Sequence, residues 1–114
     1  MNAFSRTLAL GAVLAACSSS KPLPANYPPT QAAISAADAV GAQNSPRAAL
    51  HLKMARDQVA QAQTLAKRGD ERGAELMLDR ARTDAEMALM VTREATARNA
   101  ANDARREVQG LRGQ

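Results

Sequence analysis

Aromatic side chains are nearly absent from this sequence. Its 114 residues contain no tryptophan, one phenylalanine and one tyrosine. Proteins that bind nucleic acids stack unpaired bases on aromatic rings and collect basic residues on one face. Here the net charge is +4, but basic and acidic residues alternate, as in the run from Asp79 to Glu86. The sequence therefore predicts no nucleic-acid partner.

Bulky apolar side chains are also scarce. There are 21 alanines between Ala32 and Ala104, against 16 larger aliphatic or methionine side chains between residues 30 and 114. Burial of apolar area stabilises a fold by about 25 cal/mol per Å², so this composition contributes little per residue. We therefore expect closely packed helices of low intrinsic stability, or stabilisation by a partner.

The only cysteine, Cys17, follows a short apolar run. Residues 1–16 contain one positive charge, at Arg6, and then the apolar residues 7–16. As a helix this run would measure about 15 Å, half of a hydrocarbon core. The layout is typical of a secretory signal peptide. Two uses of the cysteine are then open: an incidental residue beyond an ordinary cleavage site, or a lipid attachment point.

The residues Leu14, Ala15, Ala16 and Cys17 resemble the lipobox of bacterial lipoproteins. The resemblance implies cleavage of a signal peptide, residues 1–16, and a diacylglycerol on the Cys17 sulfur. Acyl chains contribute about 0.8 kcal/mol per buried methylene, so two or three chains would anchor the protein in a membrane. The residue after the cysteine is Ser18 and not aspartate. In the Gram-negative sorting pattern, this implies a location at the periplasmic face of the outer membrane.

Residues suited to catalysis or metal binding are few. Lipidation would consume the only thiol, and the only histidine, His51, lies off the apolar face of its predicted helix. Glu71, Glu75 and Asp79 recur every four residues, but neighbouring arginines favour surface ion pairs over a shared cation. No phosphate-binding loop or nucleophile elbow is present. We predict no enzyme activity, no metal and no cofactor other than the covalent lipid.

Residues 17–29 are predicted to form a lipidated, proline-rich linker without helix. The remaining residues, 30–114, are predicted to form an alanine-rich helical domain. Its first helix is expected over about 31–43, with Thr30 as the N-cap. The residues expected on its inner side are Ala33, Ala37 and Val40.

Two longer helices are predicted over about 46–68 and 71–109, so the fold class is all-α with a long antiparallel hairpin. Gly69 and Asp70 are the predicted C-terminal and N-terminal caps at the turn. The predicted inward stripes are Ala48, Leu52, Ala55, Val59, Ala62 and Ala66 in one helix and Ala74, Leu78, Ala81, Ala85 and Ala88 in the other.

The third helix is predicted to extend past the second from about residue 94, with a new apolar stripe on another face. This candidate interface consists of Ala97, Ala101, Ala104, Val108 and Leu111. Three arrangements are open. The first helix covers the stripe, the stripe binds a protein partner or a second copy, or the segment is a frayed, solvated tail.

The alanine and leucine pattern from Ala48 through Leu52 and Leu78 to Ala88, behind a lipobox and a proline-rich spacer, resembles the small alanine-rich bacterial lipoproteins of a domain-of-unknown-function family. In related proteins this helical domain can precede an OmpA-like module that binds peptidoglycan. No such module follows here before Gln114, so direct peptidoglycan binding is not expected. The resemblance implies a helical fold and an envelope location, and no catalytic residue.

These features together predict a non-enzymatic, lipid-anchored periplasmic protein that acts as a helical scaffold or adaptor. The alternative is a binding module or chaperone. In that case an apolar or anionic envelope ligand would lie on the alanine and methionine side chains.

Overall fold

The computed structural model describes residues 22–113, which form three α-helices joined by short turns. Helix α1 spans Tyr27–Ala39, α2 spans Pro46–Lys67 and α3 spans Glu71–Arg112. A single turn of 3-10 helix, Ala42–Asn44, lies between α1 and α2. No strand occurs in this part of the chain. The predicted all-α fold is confirmed.

Helices α2 and α3 pack side by side through small residues. Every residue predicted to face inward on these two helices is buried, and Val91 and Thr92 extend the buried stripe of α3. Leu52 and Leu78 are the largest apolar side chains that are fully buried. Alanine occupies most of the other contact positions, so the two helix axes can approach closely. The core is therefore narrow, with two leucines as its main bulky groups.

The turn between α2 and α3 follows the predicted capping pattern. Gly69 has a φ of 85°, a conformation that glycine adopts without a Cβ clash. Its N–H donates to the carbonyl of Ala66, and the N–H of Asp70 donates to that of Leu65, each at 3.0 Å. The Asp70 carboxylate then accepts the N–H of Gly73 at 2.9 Å. These bonds end α2 and begin α3 within one tight reversal.

Helix α1 lies in one groove of the hairpin, antiparallel to α2 and parallel to α3. At its start, the Tyr27 hydroxyl accepts a hydrogen bond from the Gln63 amide at 3.1 Å. Near its end, Asp38 pairs with Arg56 at 2.5 Å. The chain therefore passes down, up and down again, and α1 packs more extensively on α3 than on α2.

Helix α1 begins at Tyr27, where the sequence predicted linker, so its first turn contains Pro28 and Pro29. Proline is tolerated there because N–H groups of a first turn have no partner within the helix. Thr30, the predicted N-cap, is instead fully buried. Its hydroxyl lies 2.7 Å from the carbonyl oxygen of Asn26 and 3.2 Å from that of Leu78. Thr30 thus fastens α1 to α3.

Helix α1 ends at Ala39, before the predicted end near residue 43, because Gly41 takes a left-handed conformation with a φ of 79°. The inner face of α1 also differs from the prediction. Ala37 is buried as expected and Ala33 is partly buried, but Val40 is 39% exposed. Ile34, which the prediction omitted, is buried instead.

Candidate interaction surface

Helix α3 continues far beyond the hairpin. Its last buried residues are Val91 and Thr92, and every residue from 93 to 113 is exposed. Residues 93–112, called here the C-terminal arm, extend for about 30 Å at 1.5 Å per residue. The predicted overhang is present, and it is helical to Arg112 rather than frayed.

Helix α1 does not cover the C-terminal arm. The side chain of Asn26, just before α1, contacts Glu75 and Asp79 near the start of α3. With 13 residues, α1 is about 20 Å long, and Val40 at its C-terminal end lies in a groove with Thr92. Of the three arrangements that the sequence left open, cover of Ala97 to Leu111 by the first helix is therefore not the one observed, because α1 begins too early and is too short.

The five residues of the candidate interface lie together on one face of the C-terminal arm. Val108 is 48% exposed and Leu111 is 68% exposed, and the three alanines are exposed as well. Their spacing of four and three residues aligns them along the helix. At 100° per residue this face, called here the arm seam, points roughly 140° away from the face that packs on α2. No residue between 22 and 113 covers the arm seam.

Arginines flank the arm seam on one side at seven-residue intervals, at Arg98, Arg105 and Arg112. Arg98 pairs with Glu94 at 2.5 Å. Within residues 22–113, no carboxylate side chain lies within ion-pair distance of Arg105 or Arg112. Both line a shallow groove over Val108. One flank of the seam therefore presents two cations without a described partner.

An apolar groove marks the point where α1 ends and the C-terminal arm begins. Among the residues that line it are Val40, Thr92, Thr96, Ala97 and Ala100. Val40 is the residue that follows α1, and Ala97 is the first residue of the arm seam. The arm seam therefore starts at the edge of the contact between α1 and α3.

A half-buried polar cluster links α2 to α3 on the side of the hairpin away from α1. The Nδ1 atom of His51 lies 2.9 Å from Oδ1 of Asp84, and the Gln58 amide donates to Oδ2 of Asp84 at 2.8 Å. The sequence predicted only that His51 lies off the apolar face of its helix. The missing information was the antiparallel register, which brings residues 33 positions apart into contact.

Of the three acidic residues near the start of α3, Asp79 uses its carboxylate to hold the residue that precedes α1. The Asn26 amide donates to the Asp79 carboxylate at 2.8 Å and to the Glu75 carbonyl at 3.0 Å. Arg82 pairs with Glu86 at 2.8 Å rather than with Asp79. Among residues 22–113, no three histidine, cysteine or acidic side chains are grouped as a metal site would require.

We expect His51→Ala and Asp84→Ala to be coupled by about 0.5–1.5 kcal/mol in the free energy of unfolding, because their half-buried hydrogen bond joins two helices. A double-mutant cycle measured by urea denaturation checks this. The exposed pair Lys53 and Asp57 on α2 is the matched control, with about 0.3–0.5 kcal/mol expected. A coupling no larger than in the control would show that the cluster does not stabilise the hairpin.

The lipobox residues Leu14, Ala15, Ala16 and Cys17 lie outside the described residues. In the part of the chain that is described, no helix combines the length and the apolar character needed to cross a membrane.

A family model described as Domain of unknown function (DUF4398) matches residues 27–104. The chain belongs to this family. The DUF4398 match starts at the first residue of α1 and ends within the C-terminal arm, so it includes the docked first helix, the hairpin and three residues of the arm seam, Ala97, Ala101 and Ala104. No curated protein and no solved structure matches the chain.

Proposed function

We propose that this DUF4398 protein is a non-enzymatic adaptor of the bacterial cell envelope. In this proposal the lipid on Cys17 holds it at the periplasmic face of the outer membrane, and the C-terminal arm binds a protein partner. The observation that carries the proposal is the arm itself, a helix of about 30 Å whose residues are all exposed and which carries an apolar face.

An exposed helix with an apolar stripe at heptad spacing favours a binding role. In proteins, most of the stability of a helix comes from tertiary packing of its apolar face, and the C-terminal arm has no such packing within the described residues. In the C-terminal arm the local support consists of surface ion pairs such as Arg98 with Glu94 and Arg106 with Asp103, which contribute little. Burial of Val108 and Leu111 against a partner helix would add the missing stabilisation.

The proposed lipid anchor sets how far the domain stands from the membrane. Because Asn26 is bonded to α3 and the Tyr27 N–H closes a turn onto the Pro24 carbonyl, the free linker after Cys17 is limited to residues 18–23. As a polyproline II chain at about 3.1 Å per residue, these residues would span about 19 Å. The C-terminal arm would then reach partners in the periplasm and not only at the lipid surface.

We expect the double substitution Ala101→Glu and Ala104→Glu to remove the main crosslinks of the anchored protein in cell envelopes. Two carboxylates in the middle of the arm seam would have to be desolvated on binding. The measurement compares the crosslinked species of the variant and the unchanged protein by mass and by mass spectrometry.

The matched control is Asn99→Glu with Asn102→Glu. This variant adds the same charge to the same segment on the opposite face of the helix, roughly 140–160° away. Its crosslinks should match those of the unchanged protein. Unchanged crosslinks in the Ala101 and Ala104 variant would rule out the arm seam as the interface.

A second candidate function is a binding module or chaperone for an apolar or anionic envelope ligand. The observation in its favour is the exposure of methionines on the hairpin: Met54 is 40% exposed, Met87 is 40% exposed and Met90 is 65% exposed. Of the four methionines in the helices, Met77 packs against the core as a gap-filling residue. Flexible methionines on a surface suit the binding of apolar ligands of varied shape.

Native mass spectrometry separates the two functions. The protein is produced without residues 1–17 and analysed as purified. A small molecule that copurifies at constant stoichiometry would favour the binding module, whereas a ligand-free chain or a defined protein complex would favour the adaptor.

A further inference from the structure

We propose that the arm seam binds a single helix of a different protein, one whose apolar stripe is flanked by carboxylates. This inference rests on the proposed adaptor function and names the chemistry of its partner. A second copy of this chain and an anionic lipid surface are the competing occupants.

The shape of the arm seam fits a helix. From Ala97 to Leu111 the seam is about 21 Å long, the length of a four-turn helix. Alanine at three of its five positions lets a second helix axis approach closely. The α1 interface gives a precedent in the same molecule, because Ile34 and Ala37 of α1 already pack in the groove beside α3.

The position of the arm seam points to the same occupant. The apolar groove at Val40 and Ala97 begins where α1 ends. A partner helix that follows the line of α1 would enter this groove and continue along the seam. The interface of the partner helix with α3 would then begin where the interface of α1 with α3 ends.

The charge of the flank specifies acidic residues on the partner. Arg105 and Arg112 line the groove over Val108, and neither has an ion-pair partner among the carboxylate side chains of residues 22–113. In helix pairs, the residues that flank the apolar seam select the partner and its orientation through opposite charges. Carboxylates spaced seven residues apart would match both arginines.

A second copy of this chain fits poorly in either orientation. In an antiparallel pair, the flank of Arg98, Arg105 and Arg112 would face the same flank of the other copy, which places like charges together. In a parallel pair, that flank would face the other flank of the second copy's arm seam. Arg93, Ala100 and Glu107 lie at the matching positions there. Only one of these three residues carries a carboxylate, so self-pairing lacks charge complementarity.

A lipid surface fits the apolar residues poorly. Helices that lie in a membrane interface bury large apolar or aromatic side chains. The arm seam offers only Val108 and Leu111 as side chains larger than alanine, and the described part of the arm has no aromatic residue. The basic flank would attract anionic lipid, but the apolar face would contribute little free energy of insertion into the membrane.

The test uses the full lipid-anchored chain in nanodiscs of zwitterionic phosphatidylcholine. Two fluorescent helical peptides of roughly 21 residues, three heptads each, carry leucine and alanine at the seam positions and either glutamate or lysine at the flanks. We expect the glutamate peptide to bind at least tenfold more tightly than the lysine peptide. Arg105→Glu with Arg112→Glu should reverse this preference.

The control is Arg106→Glu, which makes a single charge reversal on the far side of the same segment and should leave the preference as it was, whereas Arg105→Glu alone should weaken it. Equal binding of both peptides, or of neither, would overturn the proposal. A dimer in sedimentation experiments that Val108→Glu dissociates would identify a second copy as the occupant. Protection of residues 97–111 from hydrogen exchange in phosphatidylglycerol nanodiscs, without peptide, would identify lipid.

The two proposals can fail separately. If Ala101→Glu with Ala104→Glu removes the envelope crosslinks but the two peptides bind alike, the adaptor function stands and the acidic partner is wrong. If that variant keeps its crosslinks, the adaptor function through the arm seam fails.

Discussion

Replacing Leu78 with alanine should lower the free energy of unfolding by about 2–5 kcal/mol, because a large buried side chain is removed and a cavity is left. Leu78 is fully buried, and only Leu52 among the apolar side chains of the described core is comparably large and buried. The neighbouring alanines are too small to fill the space. Since small domains are stable by about 5–15 kcal/mol, this loss would be a large share of the total free energy of unfolding. Urea denaturation followed by far-ultraviolet circular dichroism measures the loss.

The matched control for this prediction is Leu76→Ala on the same helix. Leu76 is 52% exposed, so its truncation should cost far less, within about 0.5 kcal/mol for a surface change. If both variants lost the same stability, the hairpin packing described here would be wrong. If Leu78→Ala lost none, the leucine pair would not be the centre of the core.

Cys17→Ser should release the protein from the membrane fraction and abolish palmitate incorporation. The hydroxyl of serine cannot replace the thiol in the thioether that the lipobox resemblance implies. Loss of the acyl chains, at about 0.8 kcal/mol per buried methylene, would remove the membrane affinity, and the described helices offer no membrane-spanning segment. Membrane fractionation and labelling with radioactive palmitate measure the two effects.

Ser18→Ala is the control for the anchor, because it changes the neighbouring hydroxyl and keeps the thiol. It should label with palmitate and stay in the membrane fraction. A Cys17→Ser form that still labels and still sediments with membranes would contradict the assignment of Cys17 as the lipidated residue.

The hairpin could be predicted from the sequence because its signals are local and repeated. Alanine and leucine recur at spacings of three and four residues, so each helix has only one face that can be buried. Gly69 and Asp70 mark the turn with residues suited to its backbone conformation and its first hydrogen bonds. These signals need no knowledge of distant residues, and the structure confirms them at every inward position of α2 and α3.

The docking of α1 could not be predicted because it depends on residues far away in the chain. Pro28 and Pro29 indicated linker, yet both fit the first turn of a helix once α1 has a groove to fill. Thr30 reads as a cap in isolation, but its hydroxyl meets the backbone of Leu78. The contact between His51 and Asp84 likewise exists only after α2 and α3 are paired in register.

The sequence by itself determined the helical fold, the turn at Gly69 and the apolar stripe from Ala97 to Leu111. These features depend on periodicity and capping, which are properties of a local segment. Only the tertiary structure decided whether that stripe is covered. The reason is length: α1 starts at Tyr27, stops before the left-handed Gly41, and therefore ends beside Thr92. The C-terminal arm of α3 is therefore left exposed, with the flanking arginines beside the arm seam.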